Sequence, residues 1–443
     1  MSMTSYHGGR VVVWGGDCLT LMAAMAPDSV DSIVTDPPYG LGFMGKKWDD
    51  LPPGKEWAEA CFRVLKPGGH LLAFGGTRTW HRLAVAVEDG GFEIRDSLAW
   101  LYGSGFPKSM DVSKAIDKAA GVTREVVGVT STHDGRPRSL APRETGVHEG
   151  RQSHGGVGLD ITAPATSEAE RWQGWGTALK PAFEPIVVGR KPLAEKTVAA
   201  NVLAHGTGAL NIDATRTATT DKLGGGAEKI TTAGQKGDEG WTRPWMSDAE
   251  AQEAHAERVR ANVAKAEDLG RWPANVILDE SQAAVLDQQA PNTGGSGKAS
   301  GPSLRGQTDA GVAYGARNGL DGEPAFYGDR GGASRFFYVA KAPKSERPIV
   351  ELADGAKLAH PTVKPVAIMR WLVRLVTPPG GLVLDTFAGT GTTGEACVLE
   401  GFQCLLAEDP AKGEQDYLPL IDQRITRALL TLPSADDDEK ASA

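Results

Sequence analysis

Residues 382–394 read LVLDTFAGTGTTG: an apolar run, an acid, then glycines at 389, 391 and 394. Leu382 to Phe387 predicts a buried strand and Thr392 to Glu400 a helix, because a short apolar stretch gives way to helical spacing across a turn of small residues. Glycines at such a turn let the backbone come close to a ligand and set it at a helix N-terminus, where unpaired N–H groups point outward. Gln403 to Ala407 predicts the next strand, closed by Glu408, and Tyr417 to Leu430 a helix. Upstream, Val366 to Val376 has an amphipathic helical pattern that stops at Pro378-Pro379-Gly380-Gly381. Helix, strand, turn, helix, strand, helix is the order of a parallel sheet covered by helices.

The same alternation fills the other end of the chain. Strands are predicted at Arg10–Gly15, Val30–Thr35, His70–Phe74 and Phe92–Leu101, and helices at Leu19–Met25, Glu56–Leu65 and Trp80–Glu88. The pattern weakens from Gly103 to about residue 180, where one helical piece, Val112–Ala120, stands out. An isolated strand-like run follows at Phe183–Val188, and 191–335 is irregular, with Gly, Ser and Asn dense over 291–334. Order returns with a strand at Phe336–Ala340. The expectation is an α/β fold, one doubly wound and mostly parallel sheet built from both ends of the chain. Its N-terminal part spans 8–102, an inserted region 103–334 returns one strand near 183–189, the C-terminal part spans 335–430, and an acidic tail, 431–443, is expected to be disordered.

The strand Val30–Thr35 runs into Asp36-Pro37-Pro38-Tyr39. The carboxyl ends of strands are where doubly wound sheets bind ligands. Two prolines stiffen this turn and remove two backbone donors. The Asp36 carboxylate and the Pro37 carbonyl then offer two acceptors, and Tyr39 a flat ring. Such a set suits an aromatic amine, whose nitrogen is a poor nucleophile until its hydrogens are held and its lone pair is freed. A base inside a duplex reaches such a pocket only by flipping out, at a cost of a few kcal/mol. At the other motif, Glu408 can accept from both ribose hydroxyls of an adenosine. The glycine pattern taken alone also fits a dinucleotide fingerprint, which leaves a nicotinamide or flavin enzyme open.

Composition sets outer bounds. Hydrophobic residues make up 40% of 443, enough for a buried core, and no apolar run reaches the length of a membrane span. The first ten residues lack a secretory pattern, which favours the cytoplasm. The four cysteines, Cys18, Cys61, Cys397 and Cys404, are scattered in apolar stretches and predict buried thiols, with no metal required. A formal charge of −9 disfavours nucleic acid only if the charge is spread evenly. Basic residues cluster locally, among them Lys108, Arg136, Arg138 and Arg143, and Arg190 and Lys191 further on.

Together the two motifs resemble the amino-methyltransferases of DNA, in the permuted order that puts the catalytic loop before the methyl-donor site. The segments that carry the resemblance are Gly16-Asp17, Asp36 to Tyr39, Leu65-Lys66-Pro67-Gly68-Gly69, His360-Pro361-Thr362-x-Lys364-Pro365, Asp385 to Gly394, and Glu408, over about residues 8–110 and 335–430. The resemblance implies a Rossmann-like S-adenosylmethionine-dependent fold with an inserted target-recognition region, and a site-specific enzyme of the restriction-modification kind. Its catalytic residues would be Asp36, Pro37, Pro38 and Tyr39. Phe387, Gly389, Gly391 and Thr392 would lie under the donor, Asp385 near its amino group, Glu408 at its ribose, and Asp17 at its adenine. His360, Thr362 and Lys364 would face its methionine carboxylate. Double-stranded DNA is the implied partner, with Lys46, Lys47, Lys108, Arg136 and Arg138 as candidate contacts. Asp at the first position of the turn implies N6 of adenine, since the N4-cytosine enzymes more often resemble Ser-Pro-Pro-Tyr. N4-cytosine methylation is the alternative, and more distantly an NAD(P)-binding oxidoreductase or a non-catalytic DNA-binding relative. The setting implied is bacterial or phage-borne. A homodimer and a cognate restriction endonuclease are both compatible with it, and no nuclease motif is evident in the chain.

Overall fold

The computed structural model describes residues 2–42, 49, 52–105, 109–130, 137–138, 160–221, 249–291, 331–340, 346–352, 354–360, 362–412 and 415–432. Its strands are β1 (Ser2–Tyr6), β2 (Val11–Gly15), β3 (Val30–Thr35), β4 (Leu65–Phe74), β5 (Glu93–Leu101), β6 (Val126–Thr130), β7 (Pro137–Arg138), β8 (Asp160–Thr162), β9 (Phe183–Arg190), β10 (Val276–Asp279), β11 (Tyr338–Ala340), β12 (Val350–Glu351), β13 (Lys357–Leu358), β14 (Leu382–Asp385) and β15 (Gln403–Glu408). Its α-helices are α1 (Cys18–Ala24), α2 (Lys55–Val64), α3 (Trp80–Asp89), α4 (Val112–Ala119), α5 (Ser167–Arg171), α6 (Val198–His205), α7 (Ala249–Leu269), α8 (Glu280–Gln289), α9 (Val366–Val376), α10 (Thr392–Glu400) and α11 (Leu418–Leu430). They fall into two compact units, Met1–Gly103 with Phe183–Ala443, and Ser104–Ala182.

The larger unit is built on one ten-stranded sheet in the order β1-β2-β15-β14-β3-β4-β9-β5-β10-β11. From β2 to β4 every neighbouring pair is parallel. β9 is antiparallel to both β4 and β5, and β10 and β11 are again parallel to β5 and to each other. Alternate side chains of the central strands feed two cores, as the pleat requires. Val34, Leu72 and Phe74 join the side of α9, with Ile368 and Leu372. Ile33, Leu71 and Ala73 join the opposite side, with Trp57, Cys61 and Leu83 of α2 and α3. All four cysteines are buried and free. The outcome is the doubly wound, mostly parallel α/β sheet that the two ends of the chain predict.

Strands β3 and β14 come from opposite ends of the chain and lie side by side, Val383 opposite Ser32 and Leu384 opposite Ile33. Buried polar groups pin that junction. Asp31 accepts from Leu382 N at 2.8 Å and from Lys66 Nζ at 2.6 Å, and the hydroxyls of Ser32 and Thr377 are 2.8 Å apart. Because the two strands are parallel, the loops that leave their carboxyl ends emerge next to each other.

The span expected as an insertion contributes more to this sheet than the single strand near 183–189. β10 also enters, between β5 and β11. Its four residues are too few to show a period, and pairing on both sides supplies what local sequence does not. β1 was likewise not expected. Its side chains are mostly exposed and polar, and it is held by an antiparallel ladder to β2.

The smaller unit holds a three-stranded sheet in the order β7-β6-β8, with α4 and α5. Asp117 anchors it: it is buried, accepts from Ala165 N at 3.0 Å and Thr166 Oγ1 at 2.7 Å, and pairs with Arg124 at 3.3 Å. No helix among the described residues is long and apolar enough to cross a membrane.

Candidate active site

At the carboxyl ends of β3 and β14 a cavity of about 230 Å³ opens within the larger unit. Asp36, Pro37, Pro38 and Tyr39 line it from the first loop, and Asp385, Phe387, Gly389 and Thr392 from the second. Glu408, His360, Thr362 and Lys364 complete the expected lining. Two expected donor residues are absent from that wall. Asp17 is spent on the N-cap of α1, where it accepts from Leu19 N at 2.9 Å and Thr20 N at 3.1 Å, and it pairs with Lys412. The pocket is lined by its neighbours Gly16 and Cys18 instead. Gly391 starts α10 at φ +77°, and a Cβ there would meet Ile421 Cγ2 at 3.0 Å, so its need for glycine is conformation and packing.

The first loop is held from below by Asp49, which sequence reading missed. Its buried carboxylate accepts from Tyr39 N at 2.6 Å, Gly40 N at 3.0 Å and Leu41 N at 3.2 Å. Three backbone donors on one carboxylate fix the turn that carries the Tyr39 ring. The only hint in the sequence is an acid beside Trp48, which carries no periodicity.

The hydroxyl of Tyr39 sits in a charged cluster. It is 2.9 Å from Asp36 Oδ1, 3.0 Å from Glu184 Oε2 and 3.0 Å from Lys364 Nζ. Lys364 Nζ also donates to Asp36 Oδ2 at 2.7 Å and lies 3.2 Å from Glu184 Oε2. Lys364, expected at the donor's carboxylate, thus has its ammonium between two carboxylates on the Asp36 side. Burial disfavours that ammonium, but the pull of Asp36 and Glu184 outweighs it and holds the lysine above its ordinary value. Burial and the same two carboxylates push the Tyr39 phenol well up. Glu184 was also missed: in FEPIVV it is one acid in an apolar strand, with nothing local to mark which way it points.

The second loop is organised by two buried acids. Asp385 accepts from Thr35 Oγ1 at 2.7 Å, from Phe387 N at 3.0 Å and from Thr393 Oγ1. Burial pushes it up to about 6 despite those three donors. Glu408 Oε2 accepts from Gly389 N at 2.7 Å, and Gly389 itself is at φ +53°. Burial pushes Glu408 up to about 8, with Gly389 opposing and the charge of Asp385 adding. Oε1 of Glu408 takes no hydrogen bond among the described residues. Phe387 packs against Trp57 with ring centroids 6.1 Å apart. His360, lowered by burial, lies edge-on to Tyr417 at 4.6 Å, with Nδ1 2.6 Å from Thr362 O.

Of the expected DNA contacts, Lys46, Lys47, Lys108 and Arg136 lie outside the described residues, as does 433–443 of the acidic tail. Arg138 is placed only as backbone of β7. Arg190 and Lys191 are structural: Arg190 pairs with Glu93 at 2.6 Å, and Lys191 Nζ binds Asp28 and the carbonyls of Phe62 and Leu65 at 2.6–2.8 Å.

A family model described as DNA methylase matches residues 30–149 and 156–410. The chain is 30% identical over 159 residues to the type II methyltransferase M.HindIII of Haemophilus influenzae, covering 35% of this chain and 37% of that one. It is 35% identical over 98 residues to the type II methyltransferase M.HpaI of Haemophilus parainfluenzae, covering 20% and 31%. The chain thus spans about a third of the length of these curated relatives. The solved cytosine-N4-specific PvuII DNA methyltransferase aligns over 97% of this chain and 95% of its own, at 12% identity and a TM-score of 0.37, too distant to carry an argument.

Proposed function

The chain belongs to the DNA methylase family, and from that premise we propose that it transfers a methyl group from S-adenosylmethionine to N6 of adenine in double-stranded DNA. One observation carries the reading. The Asp36 turn and the Gly389–Glu408 pair, from opposite ends of the chain, line a single cavity.

The residues fit a nucleoside-bearing donor. Glu408 lines the cavity as a buried carboxyl pushed up to about 8, with one oxygen held by Gly389 N and the other without a hydrogen bond among the described residues. Hydroxyl donors such as those of a ribose would satisfy it and favour its charged form. Phe387, Gly389 and Thr392 would lie along the donor, with His360 and Thr362 toward its amino-acid end. Asp385 shapes this wall indirectly, by holding Thr35, Phe387 and Thr393. When bound, the donor supplies a methyl group on a positively charged sulfur.

The rest is work for Asp36 and Tyr39. An exocyclic amine conjugated to its ring is a weak nucleophile. Asp36, paired with Lys364 at 2.7 Å, accepts an amine hydrogen and draws the nitrogen toward a pyramidal shape with a usable lone pair. The ring of Tyr39, steadied by Asp49, gives the flipped base a surface worth ~1–3 kcal/mol in stacking. Adenine rather than cytosine is supported by Asp at the first position of the turn. Target recognition is assigned to the 103–334 span, and Lys364 to the base side of the pocket.

Long-read sequencing of DNA from a methylation-deficient bacterial host tests the proposal. Expression should place N6-methyladenine at one defined sequence, and Asp36→Ala should remove it. N4-methylcytosine would reassign the base, and an unmodified genome would reject the reading.

A further inference from the structure

Four side chains meet at the Tyr39 hydroxyl, and their hydrogen bonds do not balance. A lysine ammonium only donates and a carboxylate only accepts. Lys364 donates to the phenol oxygen at 3.0 Å, which leaves Tyr39 a single O–H for two carboxylate oxygens, Asp36 at 2.9 Å and Glu184 at 3.0 Å. Whichever it serves, the other contact lacks a proton. Two carboxylates and one ammonium also leave the cluster one negative charge in excess. One added proton would therefore complete both the hydrogen bonding at the Tyr39 hydroxyl and the charge of the cluster.

We propose that this gap is the seat of the proton set free by methyl transfer, with Tyr39 relaying it from Asp36 to Glu184; the inference rests on the methyltransferase reading above. In the transfer the amine nitrogen bonds the methyl carbon as that carbon parts from sulfur, so positive charge passes to nitrogen and one N–H proton must leave. It goes to Asp36. After rotation of its new O–H, Asp36 donates to the Tyr39 oxygen as Tyr39 donates to Glu184. Asp36 is again a carboxylate, and no proton has had to cross the stacked base. The Glu184 side chain is 17% exposed and that of Asp36 26%, so the relay leads from the more open acid to the more sheltered one. Lys364 lies 2.7 Å from Asp36 and 3.2 Å from Glu184 and so holds the two acids on either side of one ammonium. Glu184 touches no substrate in this scheme and is a positioning and proton-storing residue.

The test compares wild type, Glu184→Gln, Tyr39→Phe and the double variant in DNA methylation across pH. Glutamine still accepts a hydrogen bond from Tyr39 but cannot take a proton, and Phe keeps the ring. Each single variant should lose at least about tenfold in kcat, with KM for DNA changed less than about threefold. The double variant should be no worse than the poorer single, because both break one relay. In Glu184→Gln the acid limb of the profile should move to lower pH, since removing a neighbouring negative charge favours ionised Asp36. Carboxyl 13C NMR of the donor-free protein should show the same downward move for Asp36. Losses that multiply, a folded Glu184→Gln protein with a smaller loss, or an Asp36 titration that does not move overturns the relay. Should Glu184→Gln fail to fold by thermal melting, Tyr39→Phe decides on the kcat loss. A wild type that leaves DNA unmethylated overturns the reading beneath instead.

Discussion

Lys364 Nζ lies 2.7 Å from the carboxylate of Asp36 across 328 positions of sequence. That contact joins the two ends of the chain at the point where the chemistry is proposed. Asp36→Ala should cut methyl transfer by ~10²–10⁴-fold, the usual worth of a positioned proton acceptor. Lys364 keeps Glu184 as a partner in that variant, and the Glu408 wall is untouched. Donor affinity by calorimetric titration should therefore stay within about twofold. Equal loss of donor binding would contradict the division of the pocket.

Donor binding should depend on pH through Glu408. Burial pushes its carboxyl up to about 8 from an ordinary 4.5. A ribose that favours the ionised form must displace a proton below that pH, so affinity should tighten as pH rises toward about 8, by up to ~tenfold per unit. Titrations in buffers of differing ionisation enthalpy should detect the released proton. The stability of the free protein has the opposite slope. A carboxyl raised on folding contributes most at low pH, and that contribution is lost as pH rises through the folded value. Melting temperature should fall from pH 5 to 8, and Glu408→Gln should flatten the curve.

Asp385→Ala should act on stability and donor binding together. The substitution strands the donors of Thr35, Thr393 and Phe387 N in a buried site, at ~1–3 kcal/mol for each group left unsatisfied. Denaturant unfolding should show a loss of several kcal/mol, with donor affinity weakened because the turn carrying Gly389 is loosened.

Gly391→Ala separates packing from ligand contact. The left-handed backbone disfavours any side chain by about 1–2 kcal/mol, and the added Cβ crowds Ile421. The melting temperature should drop by several degrees. Donor affinity measured well below that temperature should change little, because Gly391 does not line the cavity.

Asp49→Asn should loosen the base side alone. An amide keeps one accepting oxygen, enough for Tyr39 N and Gly40 N, but sets an NH2 donor against Leu41 N, so the Tyr39 loop is held less firmly. KM for DNA should rise while donor affinity holds.

Much of this architecture is legible locally. VDSIVT before Asp36, rich in β-branched residues, and the apolar LVLD before the glycine turn each end where their motif begins, so in a parallel sheet both loops leave the same edge. What escapes is whatever depends on contacts distant in sequence. Glu184 and Asp49 are single acids whose meaning lies in partners that sequence spacing does not reveal. Asp17 shows the converse: an acid after a strand is read as a ligand contact, yet the first turn of α1 claims it as a cap. Lys364 sits where a basic residue is expected but turns toward the carboxylates across the pocket. β10 and β1 exist because neighbouring strands pair with them, a reason that no window of local sequence contains.

The most direct test of the central claim is incubation of the purified chain with methyl-labelled S-adenosylmethionine and unmethylated double-stranded DNA, followed by digestion to nucleosides and mass spectrometry. The account predicts label in N6-methyldeoxyadenosine, reduced by Asp36→Ala by ~10²–10⁴-fold. Label absent from every DNA nucleoside, with the donor bound at the Glu408 wall, would contradict it.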